Sequence, residues 1–354
     1  MKYRKVYILI LNYNNLPDTI ECLESVLRNS YLNYQVIVID NNSPDKSMDR
    51  IIEWAEGNLD SKIKASSYLK RLSHPPLKKP LPLILYKRED AEKGGNPKLE
   101  KNAAVAGRLP LILIQIGDNL GFGAGNNVGL KYLSTKNDFD YAWILNNDTV
   151  IEKDTLINLV SKAEIYRTEC KRVGIVGSKL LYYNNPKLIQ GIGGKFNKWF
   201  SAANHIGIFE EDKGQYDNEK ILKKIDYIIG SSMFVSKKFI KEVGLMCEEY
   251  FLYFEEIDWA LRGKKEKWQI GYCWDSTVYH KTGATIGSNF KIKERSELAD
   301  YYGLKNKIIF TRKFYPKCLW SVYLNFFIVL FNRIIKKQFK KAKLVLKILR
   351  NELI

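Results

Sequence analysis

"YAWILNNDTV", residues 141–150, decides how the rest of the chain is read. Tyr141 to Leu145 is an apolar run of the kind that fills a buried strand, and Asn146, Asn147 and Asp148 follow with no spacer. Asn and Asp hydrogen-bond their own backbone and tolerate tight geometry, so a turn is one reading. The other is a metal or phosphate site at the carboxyl end of a sheet, where open α/β folds place their ligands. These residues alone leave both open.

Working outward, three further apolar runs at 6–11, 35–40 and 111–116 read as strands. Helical patterns separate them. Pro17 suits the first turn of a helix reaching about residue 28, Ser43-Pro44-Asp45 caps one to about residue 56, and 125–134 supplies a third. Alternating strand and helix implies parallel βαβ units in a doubly wound sheet. Residues 57–110 interrupt the pattern with six of the ten prolines and read as a surface-exposed insertion. LPLIL occurs twice, at 81–85 and 109–113, and could mark two neighbouring strands, although five apolar letters also recur by chance. Beyond Thr149 come a helix to about residue 167, a short strand at 173–176, a helix near Phe239 and an acidic aromatic segment at 248–262.

The 354 residues are 45% hydrophobic and 27% charged, the balance of a globular protein with a sizeable core. Five cysteines without a CxxC pair point to a reducing compartment and away from a structural zinc site. The N-terminal MKYRKVYILILNYN has only six apolar residues before Asn12 and reads as a strand rather than a secretion signal. The net charge of +18 is lopsided: residues 305–354 hold 13 Lys and Arg against one acid, Glu352. The uncharged 318–332 run, 15 residues, is short of the ~20 that cross a bilayer. The lysine-rich 333–350 segment suits a helix lying on an anionic membrane surface, or one packed on the protein body with a solvated lysine face. No groove-reading or base-stacking module accompanies the charge, so nucleic acid is not an expected partner.

Other segments carry candidate chemistry. Asp40 closes a strand in VIVIDNNSPDKS (36–47), where an acid can accept from a base or ribose or can cap the next helix. GDNLGFGAGNNVGL (117–130) fails the dinucleotide spacing, because Asn126 stands where a third glycine belongs. Its small residues still allow backbone N–H groups to approach a phosphate. In EEYFLYFEEIDWALRGKK (248–265), Asp258 and Arg262 stand i and i+4 and can pair, while Glu256 lies ~200° from Asp258 around the helix. A carboxylate in an apolar setting without a partner moves toward general-base range. His280 follows an expected strand in TVYHKTGATIG (277–287), where a lone histidine can be a structural hydrogen-bonder or a ligand.

In order and number these pieces resemble glycosyltransferase family 2, and its rhamnosyltransferase-like branch in particular. The matching stretches are LNYNN (11–15), DNNSPD (40–45), NLGFGAGNNVGL (119–130), LNNDT (145–149), GSSMFVSKK (230–238), 243–262 and HKTG (280–283). The resemblance implies an α/β GT-A fold, a Rossmann-like, mostly parallel mixed sheet flanked by helices. It divides the chain into a nucleotide-sugar-binding half (1–150), an acceptor-binding, catalytic half (151–304) and a basic amphipathic helical tail (305–354). It places Asp148, with His280, on a Mg²⁺ or Mn²⁺ ion, and Tyr13, Asn14, Asp40, Asn119, Gly121, Asn126 and Asn147 around the donor. Glu256 becomes the catalytic base, with Glu255 and Asp258 beside it. Two departures are Glu256, where Asp is usual, and Cys247, where the family has Asp.

The implied activity is inverting transfer of a sugar, rhamnose among the candidates, from a nucleotide diphosphate sugar to a growing glycan. A lipid-linked glycan acceptor would suit a peripheral protein on the cytoplasmic face of the cell membrane. Two other classes compete. A sugar-phosphate nucleotidyltransferase would want a glycine- and arginine-rich loop where this chain has LNYNNLPD (11–18). A non-catalytic membrane-bound polysaccharide-binding module would release no free nucleoside diphosphate.

Overall fold

The computed structural model describes residues 4–59, 68–104, 109–281 and 296–353. Its strands are β1 (Val6–Asn12), β2 (Tyr34–Asp40), β3 (Leu83–Lys87), β4 (Leu111–Gln115), β5 (Tyr141–Asn146) and β6 (Thr149–Ile151). They continue with β7 (Val173–Tyr182), β8 (Asn185–Gly191), β9 (Gly194–Asn197), β10 (Ala202–His205), β11 (Ser232–Ser236) and β12 (Gln269–His280). One large sheet runs β3-β4-β2-β1-β5-β11-β7-β12-β6, with β8 attached to β7. From β3 to β5 every pairing is parallel. β11 is antiparallel to both β5 and β7, and β12 is parallel to β7.

β1 and β2 are apolar at nearly every position because both faces of the sheet are covered. Successive side chains point to opposite faces. Tyr7, Leu9, Ile37 and Ile39 therefore enter one core, and Ile8, Ile10, Val36 and Val38 the other. The two LPLIL copies do pair: Leu83, Ile84 and Leu85 lie opposite Leu111, Ile112 and Leu113. The insertion is thus not simply a surface loop. It supplies the edge strand β3, with Ile84 and Tyr86 turned in and Leu85 exposed.

The glycine-rich helix spans Gly121–Lys136, starting earlier than its pattern suggests. Its glycines let it lie close on the sheet. A Cβ on Gly125 would come 2.7 Å from Leu11 Cδ1, and one on Gly129 2.6 Å from Ile39 Cδ1.

The basic C-terminal segment departs most from expectation. The helix Glu297–Phe314 runs straight through the boundary placed at residue 305, and the helices Leu319–Ile335 and Phe339–Leu353 pack against it. Leu304, Ile308, Val322, Phe326, Val345, Ile348 and Leu349 form a core of their own. The short uncharged run also understated the apolar length. Pro316–Ile335, 20 residues, is long and apolar enough to cross a membrane by length and composition. Large residues on its free side, Trp320 and Phe331 among them, are 63% and 65% exposed.

Candidate active site

Parallel register ends β1, β2 and β5 side by side, with Asn12 opposite Asp40 and Leu11 opposite Asn146. A cleft opens at these carboxyl ends. Tyr13, Asn41, Asn119, Gly121, Asn147, Asp148 and His280 are on its wall, together with Phe251 and Leu252 from the second half.

The two readings of the Asn-Asn-Asp turn divide between neighbours. Asn147 turns inward, and its amide donates to Thr19 Oγ1 (2.9 Å) and Asn12 Oδ1 (3.2 Å). Asp148 stays at the cleft. The pairing of β12 with β6 sets His280 opposite Thr149, and the Lys281 N–H donates to the Asp148 carbonyl at 2.9 Å. Asp148 Oδ1 and His280 Nε2 then face each other at 3.0 Å, buried, and neither makes a hydrogen bond of good geometry. Burial works against charge on Asp148, but His280 and Lys281 outweigh it and hold its carboxyl below the ordinary range. His280 Nδ1 lies 2.7 Å from Gln190 Oε1. With the proton on Nδ1, donated to Gln190, the Nε2 lone pair is free to point at a cation beside Asp148.

A carboxylate and an imidazole nitrogen with only each other as partners fit the ligand chemistry of a divalent ion. Among the described residues no group of three or more His, Cys, Asp or Glu side chains forms. An ion held by these two residues would have to complete its shell with waters and substrate phosphates.

The expected donor residues separate into those on the cleft and those behind it. Tyr13 and Asn119 line it. Asn14 has a left-handed backbone (φ 61°), and its N–H is tied to Ser43 Oγ at 2.9 Å. Asp40 is the main correction. It is buried behind the wall and accepts from Asn12 Nδ2 (2.7 Å), Ser43 Oγ (2.5 Å), Ser43 N (3.0 Å) and Gln115 Nε2 (3.1 Å). Four donors fill the acceptor sites of a carboxylate, so Asp40 braces the strand ends. Its neighbour Asn41 is the residue on the cleft, and it bonds Asn119 Oδ1 (2.8 Å) and the Leu120 N–H (2.9 Å). DNNSPD contained Asn41, yet the acid drew the reading. Asn126 is likewise buried off the cleft, donating to the Phe122 carbonyl at 2.9 Å. Gly121 (φ +79°) serves a close approach, since a Cβ there would lie 2.2 Å from the Phe251 carbonyl oxygen.

That contact brings in the acidic segment. Phe251, Tyr253 and Phe254 all have left-handed backbones, with φ of 60°, 71° and 80°. For non-glycine residues such conformations cost about 1–3 kcal/mol each. The turn feeds directly into the helix Glu255–Lys265. Glu255 is buried against the Gly123 N–H, and burial with the neighbouring Glu256 charge raises its carboxyl well above the ordinary range. Glu256 is half-buried, and burial raises it to about 7. It is not on the wall of the cleft, which the turn ahead of it reaches through Phe251 and Leu252. Asp258 does pair with Arg262, Nε to Oδ1 at 2.5 Å. It also meets Lys313 Nζ at 2.8 Å and accepts from Tyr250 OH at 3.0 Å, so it is a structural anchor rather than a second base. At the Cys247 departure, Sγ lies 3.3 Å from Lys313 Nζ.

Comparison with known proteins bears on the family resemblance and the fold. Residues 7–68 match the glycosyl transferase family 2 model. The resemblance drawn from the sequence to that family therefore holds. The low-salt glycan biosynthesis hexosyltransferase Agl10 of Haloferax volcanii is 26% identical over 160 residues, 45% of this chain and 48% of that protein. The match thus spans about half of that relative. The mannosyltransferase PcManGT from Pyrobaculum calidifontis, solved with GDP-Man and Mn²⁺, superimposes with a TM-score of 0.50 at 13% identity. That superposition covers 99% of this chain and 75% of the other, and the shared fold is GT-A.

Because Asp258 is fully buried with two cations and a hydroxyl on it, Asp258→Asn is expected to cost about 3 kcal/mol of stability. Urea unfolding checks this, and an unchanged midpoint would contradict the anchoring role.

Proposed function

We propose that the protein is a metal-dependent, inverting glycosyltransferase that moves a sugar from a nucleotide diphosphate donor to a glycan hydroxyl. The observation that carries this reading is the orphaned Asp148–His280 pair on a cleft at the sheet's carboxyl edge. The hexosyltransferase relative and the GT-A neighbour crystallised with a nucleotide sugar and Mn²⁺ support it. Mg²⁺ or Mn²⁺, held by Asp148 and His280, would neutralise charge on the departing diphosphate.

The chain's own residues do the rest. Tyr13, Asn41 and Asn119 line the donor cleft, and Asn147 holds the strand-end turn in place. Glu256 takes the proton of the acceptor hydroxyl as its oxygen bonds to the anomeric carbon. The bond from that carbon to the diphosphate oxygen breaks, its electron pair leaves with the nucleotide, and the configuration inverts. A carboxyl near 7 is matched to this work at neutral pH.

The acceptor we favour is a lipid-linked glycan, and rhamnose remains a candidate sugar. The support is the C-terminal helical unit. One side of Leu319–Ile335 is packed through Val322 and Phe326, while Trp320, Leu324, Phe327 and Phe331 are exposed, and the last helix carries Lys340, Lys341, Lys343 and Lys347. Such a face suits the headgroup region of an anionic bilayer. The five cysteines are all free, as on a cytoplasmic surface.

Nucleotide release from a panel of GDP-, UDP- and dTDP-sugars with a glycan acceptor and Mn²⁺ tests the reading. Since Glu256 must be deprotonated to act, turnover should fall as pH drops through about 7, approaching tenfold per unit below it. Glu256→Gln should lower turnover by ~10²-fold or more while donor affinity stays near wild type. Equal turnover in both proteins would contradict the assignment. Phe327→Ser with Phe331→Ser should reduce sedimentation with anionic vesicles and leave turnover on a short soluble acceptor unchanged. Bound protein released by alkaline carbonate indicates a surface-lying helix, and retention indicates a spanning one.

A further inference from the structure

The helix Glu297–Phe314 has two packed sides. Leu304 and Ile308 face the C-terminal helical core. Tyr302, Asn306 and Phe310, spaced i, i+4 and i+8, fall on one face of the helix, and that face meets the turn ahead of Glu256. Tyr302 stacks on Phe251 with ring centroids 4.6 Å apart, and Phe310 meets Phe254 at 5.2 Å. Between them Asn306 Nδ2 donates to the carbonyl oxygens of Tyr250 (2.8 Å), Leu252 (2.8 Å) and Tyr253 (3.2 Å). Asn306 is fully buried, and its Oδ1 has no partner.

That arrangement is not one a helix needs for itself. All of the amide's donor capacity goes to three backbone carbonyls of a turn distant in sequence. Those carbonyls converge because Phe251, Tyr253 and Phe254 hold left-handed backbones, a state that persists only where surrounding structure over-determines it. Without that donor all three carbonyls would lose their side-chain partner, the Tyr250 carbonyl keeping the Leu252 N–H at 2.7 Å, and the turn would relax toward ordinary φ. Phe254 caps the helix on which Glu256 sits, so relaxation re-aims that carboxyl.

We propose that Asn306 is a positioning residue for Glu256, its side-chain amide holding the strained 250–254 turn that fixes where the catalytic helix begins. The proposal rests on Glu256 being the base. It also makes residues once assigned to a membrane tail part of the active-site scaffold, and it joins the membrane-facing helical unit to the reacting carboxylate through one side chain.

The test uses the full-length chain with the donor of that panel giving the fastest nucleotide release. Asn306→Ser keeps a hydroxyl donor and leaves room for water, whereas Asn306→Leu keeps the volume and removes the donor. Both should lower kcat, Leu by about 10–100-fold and Ser by less, since a small misplacement of a reacting group costs rates of that order. Donor affinity by calorimetry should fall by less than kcat does, because Tyr13, Asn119 and Asp148 keep their places and only the Phe251 and Leu252 side of the cleft wall belongs to the turn. In a Glu256→Gln background, the same Asn306 substitution should change the residual rate by less than about twofold, because a positioning residue acts through the group it positions. If the Leu variant does not fold, the Ser variant carries the comparison alone. Wild-type kcat in folded Asn306→Ser, or a full additive loss in the Gln background, would overturn the proposal. Wild-type turnover in Glu256→Gln alone would instead refute the base assignment, a separate outcome.

Discussion

Everything at the site depends on the parallel pairing of β1 with both β2 and β5. It brings three strand ends level, so that Asn12, Asp40 and Asn146 emerge together. A strand end is where backbone pairing stops, and polar side chains must then finish the hydrogen bonding. Here they do so in a closed circuit. Asn12 accepts from Thr19 and Asn147 and donates to Asp40 and Ser43. Asp40 in turn collects Ser43 and Gln115. A fully satisfied buried network fixes geometry, and its low-dielectric surroundings strengthen each bond.

Against that rigid floor, the unsatisfied groups are informative. Asp148 Oδ1 and His280 Nε2 are buried without hydrogen bonds, as is Glu255 Oε1. Asp148 and His280, facing each other at the cleft with no other partner, are the groups there that a ligand could engage. The two halves of the chain contribute differently: the parallel half supplies the donor cleft, and the mixed half supplies the histidine and the acidic helix. Gly121 is the seam, where the Phe122 N–H meets the Phe251 carbonyl at 2.7 Å.

Much of this was legible in the residues. Apolar runs gave the central strands, and the repeated LPLIL allowed a neighbouring pair of strands, whose register only the structure supplies. Spacing alone gave the Asp258–Arg262 pair and, by exclusion, the free carboxyl of Glu256. What stayed hidden depends on tertiary satisfaction. No pattern says that Asp40 spends its oxygens on four protein donors while Asn41 takes the cleft. Gln190, which orients His280, lies on a strand whose sequence carries no signal for that role. Asn306 sits in a basic segment whose charge suggests a surface, and only its contact with a strained turn reveals a buried function. The same charge hid a small helical core, because the lysines are periodic and the apolar positions between them were free to pack inward.

The central claim, that Asp148 and His280 hold a cation facing the donor diphosphate, is most directly tested by pulsed electron paramagnetic resonance of Mn²⁺ bound with GDP or UDP. The account predicts echo modulation from one imidazole nitrogen, lost in His280→Ala, together with phosphorus coupling from the nucleotide. Mn²⁺ bound tightly with phosphorus coupling but no nitrogen modulation in the wild-type protein would contradict it.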